Sequence, residues 1–291
     1  MNKTLQQINK LRKIVKALKI GLFSSFILFF LLMILGAIFN LPFGSIYFVL
    51  FFLLFGSVIA LPIFQSKYTR ECNQQLISKM IPSIAPDFTY LFHSIDRYFI
   101  INSHLFGHPD RVISKHTLEK KDNDGKKGIY ITKLYNESRD SDGDRHSHLL
   151  FNGVILTFQS QVFNSTDIQF LNKNLSNNLS RWFRETFAND NSFITSESST
   201  INSLYSIKQN HYDPTIVSSI EQLLLSLHER GYSCLASVSE GTFYLALSTD
   251  DDPLSFSTRH PITNEDLKRV KNELRTLTSL LGEVTSTFTT K

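Results

Sequence analysis

Two long apolar stretches separated by a short break dominate the start of the chain. No Lys, Arg, Asp or Glu occurs between Lys19 and Lys67. Residues 20–39 and residues 45–64 would each form a helix about 30 Å long, which matches the hydrocarbon thickness of a bilayer. The break between them contains a proline and a glycine, which favour a tight turn. The pattern predicts a transmembrane helical hairpin over residues 20–64.

Positive charge flanks this hairpin on one side. Six Lys or Arg residues and no Asp or Glu precede the first stretch, the connecting turn has no Lys or Arg, and Lys67 and Arg70 follow the second stretch. The positive-inside rule then predicts that both termini, and with them residues 65–291, are cytoplasmic. A signal peptide followed by one anchor is disfavoured, because the first stretch is too long and no small-residue cleavage motif follows it. The sequence thus predicts a multi-pass protein of the bacterial inner membrane.

Residues 1–19 form a basic arm in which apolar residues recur at helical spacing. These residues are Leu5, Ile8, Leu11, Val15 and Leu18. Such an amphipathic helix can lie on anionic lipid headgroups, or it can serve only as the charged flank that sets the topology. The pattern leaves both interpretations open.

Juxtamembrane helices are predicted over residues 65–102. The second apolar helix is expected to continue toward Pro82 and Pro86, which should break it. From residue 88 to residue 102, apolar residues at intervals of three and four predict a second, amphipathic helix. The stripe that continues the second apolar helix consists of Tyr68, Cys72, Leu76 and Met80.

Residues 103–291 are predicted to form one cytosolic domain, beginning with a meander of strands. Residues 111–120, 128–137 and 148–159 are expected as strands, joined by polar turns. The third of them is apolar on both faces, which indicates an interior strand of the sheet, and Gly153 within it indicates a bulge or a close backbone approach. Residues 160–210 show little pattern beyond a possible strand at 193–194.

The pattern sharpens again in the last third of the chain. Asp213 and Pro214 begin a helix that Gly231 ends. Two strands, residues 232–239 and 242–249, follow as a hairpin, and a capping box precedes a last helix with apolar residues at 3-4 spacing. The fold class is therefore α+β: a transmembrane helical hairpin followed by a mixed domain of antiparallel sheet and helices.

Charge is distributed unevenly along the chain. The net charge is +4, but residues 1–63 contain six basic and no acidic residues, so the rest holds 24 basic and 26 acidic residues. A domain this close to neutral argues against nucleic acid as a partner. The two cysteines form no disulfide framework, and Cys234, on an alternating strand, is expected as a small core residue.

One polar turn carries candidate metal ligands at every second position. A divalent ion could be held by Asp142, Asp144, His146 and His148, which would share one face of an extended strand. The stretch is not a calcium loop, because the twelfth position counted from Asp140 is Phe151 instead of glutamate. Charged residues at a hairpin tip are also ordinary turn chemistry, so both interpretations stay open.

Local signatures of catalysis do not occur in the sequence. It contains no Gly-x-Ser-x-Gly elbow, no phosphate-binding Gly-x4-Gly-Lys-Ser/Thr loop, no Gly-x-Gly-x-x-Gly, no His-Glu-x-x-His and no Cys-x-x-Cys. No catalytic or cofactor-binding residue is therefore predicted. The balance favours a protein without enzymatic activity, although a site assembled from distant residues stays open.

The arrangement resembles a bacterial family of uncharacterised membrane proteins that have two N-terminal spans and a soluble domain with a Phe-x-Gly strand. The residues that carry the resemblance are 103–106, 148–154 and 213–247, with Phe151 and Gly153 as the Phe-x-Gly pair. The resemblance implies the architecture and the location of the chain. It implies no catalytic residue.

Three functions are compatible with these patterns. The leading hypothesis is a membrane-anchored protein whose cytosolic domain is a binding or scaffolding module for a protein partner, for another copy of the chain or for a lipid surface. The alternatives are a membrane-anchored, metal-dependent enzyme that uses residues 140–148, and a membrane-inserting effector or toxin.

Overall fold

The computed structural model combines α-helices with one antiparallel sheet, and two apolar helices come first. The predicted mixture of helices and antiparallel strands is confirmed. The structure describes residues 2–39, 44–92, 95–122, 125–140, 142, 144–173 and 193–289.

The chain divides into two compact units. The helical unit consists of Met1–Ser83 and Ser255–Lys271, and the sheet unit consists of Ile84–Leu254 and Asn272–Lys291. The helices are α1 (Asn2–Phe39), α2 (Gly44–Cys72), α3 (Ser78–Ile84), α4 (Arg97–Asn102), α5 (Ser199–Leu204), α6 (Pro214–Glu229) and α7 (Asn264–Thr289). The strands are β1 (Thr89–Leu91), β2 (Arg111–Asp122), β3 (Gly125–Arg139), β4 (Arg145–Gln159), β5 (Asp167–Asn172), β6 (Phe193–Ile194), β7 (Tyr205–His211), β8 (Cys234–Ser239) and β9 (Thr242–Ser248).

Helices α1 and α2 contain the two predicted apolar stretches. Each contains a stretch long and apolar enough to cross a membrane, within Thr4–Gly36 and within Phe48–Ile84 respectively. Large apolar side chains point outward along both, and the exposed fraction reaches 68% at Phe23 and 65% at Phe48. The predicted turn spans residues 40–44; residues 40–43 lie outside the described residues, and Gly44 is the first residue of α2.

The basic arm is the first part of α1 and packs within the protein. Ile8 and Val15 are fully buried, and the Asn9 side-chain oxygen accepts a hydrogen bond from the Ile262 N–H at 3.1 Å. Protein therefore covers much of the apolar stripe that could have faced lipid headgroups. The predicted stripe that continues the second helix, formed by Tyr68, Cys72, Leu76 and Met80, is buried.

The second helix does not break at Pro82. A π-helical segment, Asn73–Ile77, joins α2 to α3, and α3 continues through Pro82 to Ile84. The predicted break is wrong at Pro82, beside which Met80 and Ile81 are buried, but the helix ends at Ile84, before Pro86, the second predicted breaker.

In the described part of the chain, the sheet has nine strands in the order β1-β2-β3-β4-β9-β8-β5-β7-β6. The meander, the late hairpin and the two long helices after residue 213 confirm the predicted elements. Strand β4 lies between β3 and β9, as expected for a strand that is apolar on both faces. Gly153 marks a close backbone approach, because a Cβ atom there would lie 2.0 Å from the Leu247 carbonyl oxygen.

The helix predicted over residues 88–102 is wrong in its first part. Thr89–Leu91 forms edge strand β1, which pairs with β2, and α4 begins only at Arg97. Asp96 caps α4, since its carboxylate accepts a hydrogen bond from the Tyr98 N–H at 3.0 Å. Pairing with a distant strand overrides the helical spacing of the local sequence.

Three described strands, β5, β6 and most of β7, lie in residues 160–210, the stretch that showed little pattern. Strand β5 pairs with both β7 and β8, and the predicted strand at 193–194 is confirmed as β6. A 3-10 turn, Gln161–Phe163, precedes β5. Phe163 from this turn packs against Phe288 of α7, with ring centroids 5.0 Å apart.

Candidate functional site

A polar cleft lies at one end of the sheet unit. Strand β5 runs antiparallel to β7 and β8, so the start of β5 and the ends of β7 and β8 meet at the same end of the sheet. The cleft has a volume of about 840 Å³ and polar side chains around it. Its lining residues are His104, Asn164, Ser165, Thr166, Asp167, Gln209, Asn210, His211, Tyr212, Ser239 and Glu240.

The short 3-10 turn positions one wall of the cleft. The Ser160 hydroxyl accepts a hydrogen bond from the Val162 N–H at 3.4 Å and begins the turn, and buried Phe163 anchors it to the core. The Thr166 N–H then donates to the Phe163 carbonyl at 3.1 Å. These contacts hold the polar residues 164–167 at the end of the sheet where the cleft lies.

A β-bulge brings the side chains of Asn210 and Asp167 together in the cleft. Asp167 pairs with His211 and Ile168 pairs with Gln209, so Asn210 is the extra residue. The Asn210 side-chain amide donates to Asp167 Oδ2 at 2.7 Å. The other carboxylate oxygen, Oδ1, lies 3.9 Å from His104 Nδ1, which is too far for a hydrogen bond.

Several buried oxygens in this cleft have no hydrogen-bond partner among the described residues. They are Thr166 Oγ1, Asp167 Oδ1 and Gln209 Oε1. The side-chain oxygen of Gln169, on strand β5, also has no partner in the described part of the chain. Thr166 is only 4% exposed. A buried polar atom without a partner costs about 1–3 kcal/mol, and native proteins contain few of them. Their concentration here marks this end of the sheet as a polar region that the described residues leave incompletely hydrogen-bonded.

Two residues of the cleft wall adopt the left-handed backbone conformation. His104 has φ 56° and Glu240 has φ 49°, a region that costs an L-residue roughly 1–2 kcal/mol. Glu240 forms the predicted two-residue hairpin turn with Gly241, and the Asn102 amide donates to its carboxylate at 3.1 Å. Strained backbone of this kind concentrates at functional sites, which is consistent with a functional role for this cleft.

The charge of the cleft is acidic. Two carboxylates, Asp167 and Glu240, face it together with two histidines, and no Lys or Arg belongs to the described residues that line it. Unpartnered oxygens beside carboxylates accept hydrogen bonds and attract cations. The cleft is therefore suited to a ligand rich in donors and not to a phosphate.

A second polar group in the sheet unit links β1, β2 and the segment after β9. His116 Nδ1 lies 2.7 Å from the Tyr90 hydroxyl, and His116 Nε2 lies 3.5 Å from Asp252 Oδ2. Lys115 Nζ is 3.2 Å from the same oxygen. His116 and Asp252 are almost completely buried.

The ionisation of this group indicates a structural role. Burial alone would raise the pKa of Asp252, but the hydrogen bond and charge of His116 and the charge of Lys115 bring it down to about 2. The pKa of Tyr90 is raised by burial and by the nearby Asp252 carboxylate, so its hydroxyl is not an activated nucleophile. The group holds the segment after β9 against the edge of the sheet.

The predicted metal ligands lie on the exposed tip of the β3–β4 hairpin. Asp140 organises this tip: it accepts hydrogen bonds from the N–H groups of Asp142 and Asp144, at 3.1 and 2.8 Å, and its other oxygen lies 3.0 Å from His146 Nε2. His148 instead contacts the Ser138 hydroxyl at 3.2 Å. The structure thus brings His146 to Asp140 and does not group the four predicted ligands.

Within the described parts of the chain, no three His, Cys, Asp or Glu residues are placed to hold a metal ion. Two residues of the tip, 141 and 143, lie outside the described residues. The metal site over residues 142–148 stays a prediction.

Cys234 is a core residue, as its position on an alternating strand predicted. It is fully buried, and its sulfur lies 3.3 Å from the Tyr205 hydroxyl. Burial raises the pKa of the Cys234 thiol to about 11, which keeps it protonated and unreactive at neutral pH.

Sequence reasoning missed the cleft because its walls come from the stretch with little pattern. One signal was present: two compact polar runs, 164–167 and 209–212, flank short strands. Comparison with protein families, with curated proteins and with solved structures finds no match. The resemblance to a family of bacterial membrane proteins therefore stays a prediction.

Proposed function

We propose that this chain is a membrane-anchored binding protein whose sheet unit holds a cationic ligand in the polar cleft. The observation that carries the proposal is the set of buried oxygens without partners, at Thr166, Asp167 and Gln209. A ligand that donates hydrogen bonds to them removes the energetic cost of leaving them unpaired. Binding is therefore favoured over a purely structural role for the cleft.

The two apolar helices support the membrane anchor. Their outward apolar side chains need cover from water, and the flanking lysines and arginines favour a cytoplasmic location for both ends. In this proposal the helices cross the bacterial inner membrane as a hairpin, and the sheet unit lies in the cytoplasm.

The chemistry of the cleft selects an amine or guanidinium group. Asp167 and Glu240 supply negative charge, and a charge-assisted hydrogen bond to Asp167 Oδ1 would be about twice as strong as a neutral one. The neutral oxygens of Thr166 and Gln209 can accept the further donors of such a group. The group could belong to a small molecule or to a Lys or Arg side chain of a partner protein.

Calorimetric titration of the full-length protein in phosphatidylcholine nanodiscs tests the proposal. The probes are L-argininamide, as a free cation, and acetyl-Gly-Arg-Gly-amide, as a peptide. We expect saturable binding that Asp167→Asn weakens at least tenfold. Asp250→Asn is the matched control, because Asp250 is exposed and does not line the cleft.

The two probes also separate the possible sources of the cation. Tighter binding of the peptide would indicate a partner protein, and tighter binding of L-argininamide would indicate a small molecule. The proposal is wrong if neither probe binds, or if Asp167→Asn and Asp250→Asn have the same effect.

A further inference from the structure

The helical unit contains a second cavity, of a different chemical character. It has a volume of about 460 Å³ and lies among α1, α3, the π-helical segment and the start of α7. Its charged lining residues are Lys79, Lys268 and Lys271, and no Asp or Glu belongs to the described residues around it. A volume of this size is typical of a site for a small organic ligand.

The lysines converge on this cavity from two segments. Lys268 and Lys271 lie on one face of α7 with Leu267, because residues three and four apart on a helix are neighbours. Lys79 comes from α3 and donates a hydrogen bond to the Gln75 side chain at 2.9 Å, which leaves its charge uncompensated.

No described acidic side chain neutralises the two lysines of α7 with an ion pair. Asp266, two residues before Lys268, is engaged in the capping box instead. Its carboxylate accepts hydrogen bonds from the N–H and the hydroxyl of Thr263, at 2.8 and 2.9 Å. The positive charge at the cavity is therefore available to an external anion.

The floor of the cavity is apolar. Leu76, Met80 and Leu267 line it and are each less than 10% exposed. A hydrated inorganic anion has no apolar surface to bury against this floor. An apolar ring or chain that carries an anionic group would bury its apolar surface on the floor and bind the lysines with its charge. The combination defines an amphiphilic ligand.

We propose that this cavity binds a soluble organic anion, with a phosphate group at the three lysines and an apolar body on the floor. The site is separate from the polar cleft, and its ligand carries the opposite charge.

The position of the cavity along the helices favours a soluble ligand over a membrane lipid. Lys79 follows the end of the second predicted span, residue 64, by 15 residues, and Thr4 precedes the first span, residue 20, by 16 residues. At about 1.5 Å per helical residue, both lie more than roughly 20 Å from the hydrocarbon edge along the helices. The headgroup layer of a bilayer is only about 5–8 Å thick on each side.

The test uses the full-length protein in phosphatidylcholine nanodiscs and 1-naphthyl phosphate as the probe, measured by calorimetric titration. We expect this probe to bind at least tenfold more tightly than inorganic phosphate, which lacks the body, or 1-naphthol, which lacks the charge. The double variant K268Q/K271Q should weaken its binding at least tenfold. The double variant K13Q/K16Q, which removes two exposed lysines outside the cavity, should leave binding unchanged.

Three results would overturn the proposal. They are the absence of saturable binding, an equal loss of binding in both double variants, and displacement of 1-naphthyl phosphate when phosphatidylglycerol is added to the nanodiscs. The last result would assign the site to a lipid. Binding of L-argininamide by the same K268Q/K271Q protein provides an independent check that the variant is folded.

Discussion

Glu240 combines an unfavourable backbone conformation with a place in the cleft wall. Two-residue hairpin turns with positive φ at both positions favour Asn, Asp or Gly at the first of them, and here Glu240 (φ 49°) precedes Gly241 (φ 72°). Glutamate is therefore unfavourable for the turn itself, but it places a carboxylate in the cleft wall. That carboxylate already accepts a hydrogen bond from Asn102 and faces the cleft.

Glu240→Asn is therefore expected to stabilise the protein and weaken the binding of L-argininamide. Relief of the left-handed strain should raise the free energy of unfolding by about 0.5–1 kcal/mol, an increase of a few degrees in the midpoint of thermal unfolding. Thermal unfolding and calorimetric titration measure the two effects. Glu240→Gln, the control, should weaken binding without the gain in stability. Unchanged binding in both variants would remove Glu240 from the site.

Asp252 should make the stability of the protein sensitive to acid. Its pKa is lowered from an ordinary value of 3.8 to about 2 in the folded state, so the folded protein holds the ionised form more strongly than the unfolded chain does. The contribution, about 2 kcal/mol, is complete above pH 4 and is lost as the pH falls from 4 to 2. Asp252→Asn should lower the free energy of unfolding at pH 7 and flatten this part of the pH profile. Asp250→Asn should preserve the profile, and an equally steep profile in Asp252→Asn would contradict the assignment.

At the scale of single elements, strand β4 tolerates no side chain at its glycine. A Cβ atom on Gly153 would lie 2.0 Å from a carbonyl oxygen of β9, inside the paired sheet. Gly153→Ala is expected to lower the free energy of unfolding by about 1–3 kcal/mol, since the backbone of one strand must move. The same substitution at Gly282 on α7, where nothing lies within 4 Å, should be neutral or stabilising. Chemical denaturation of both variants compares the two sites, and equal effects would contradict the close approach.

The elements that the sequence predicts well are those with strong local signals. Strand-like runs bounded by polar turns mark β2, β3 and β4, a capping Asp and a proline mark the start of α6, and a Glu-Gly pair marks the hairpin of β8 and β9. Strand β5 carries no comparable signal, because its stability comes from two partners that are distant in sequence. Edge strand β1 has helical spacing in its sequence and forms a strand only because β2 is beside it.

The cleft was unpredictable for a related reason. Its residues come from four separate parts of the chain, and only the pairing of β5 with β7 and β8 brings them to one end of the sheet. The bulge at Asn210 and the unpartnered oxygens are properties of that pairing. The sequence predicts a metal site in the hairpin 140–148, by contrast, because the polar residues there are adjacent in sequence.

At the scale of the whole molecule, the topology of the proposed anchor can be tested with cysteine labelling. Cys72 and Cys234 are buried, so exposed reporters are needed in a background without them. We expect Gly44→Cys, next to the predicted turn, to react with an impermeant maleimide in intact cells. Ser147→Cys, on the exposed hairpin of the sheet unit, should react only after the cells are opened. Labelling of Ser147→Cys in intact cells would place the sheet unit outside and reverse the proposed orientation.

Among the described residues the sheet ends in two edge strands, β1 and β6, and this has a consequence if the proposed anchor confines the protein to a bilayer. Confinement to two dimensions crowds neighbouring copies, and an uncovered strand invites a neighbour to extend the sheet. The outermost described strands, Thr89–Leu91 and Phe193–Ile194, are only three and two residues long. Next to the first, β2 has an irregular register between Ser114 and His116 and carries Lys120 and Lys121. Short strands, bulges and lysines all discourage strand addition, so crowded copies of this protein can remain separate instead of fusing into fibrous aggregates.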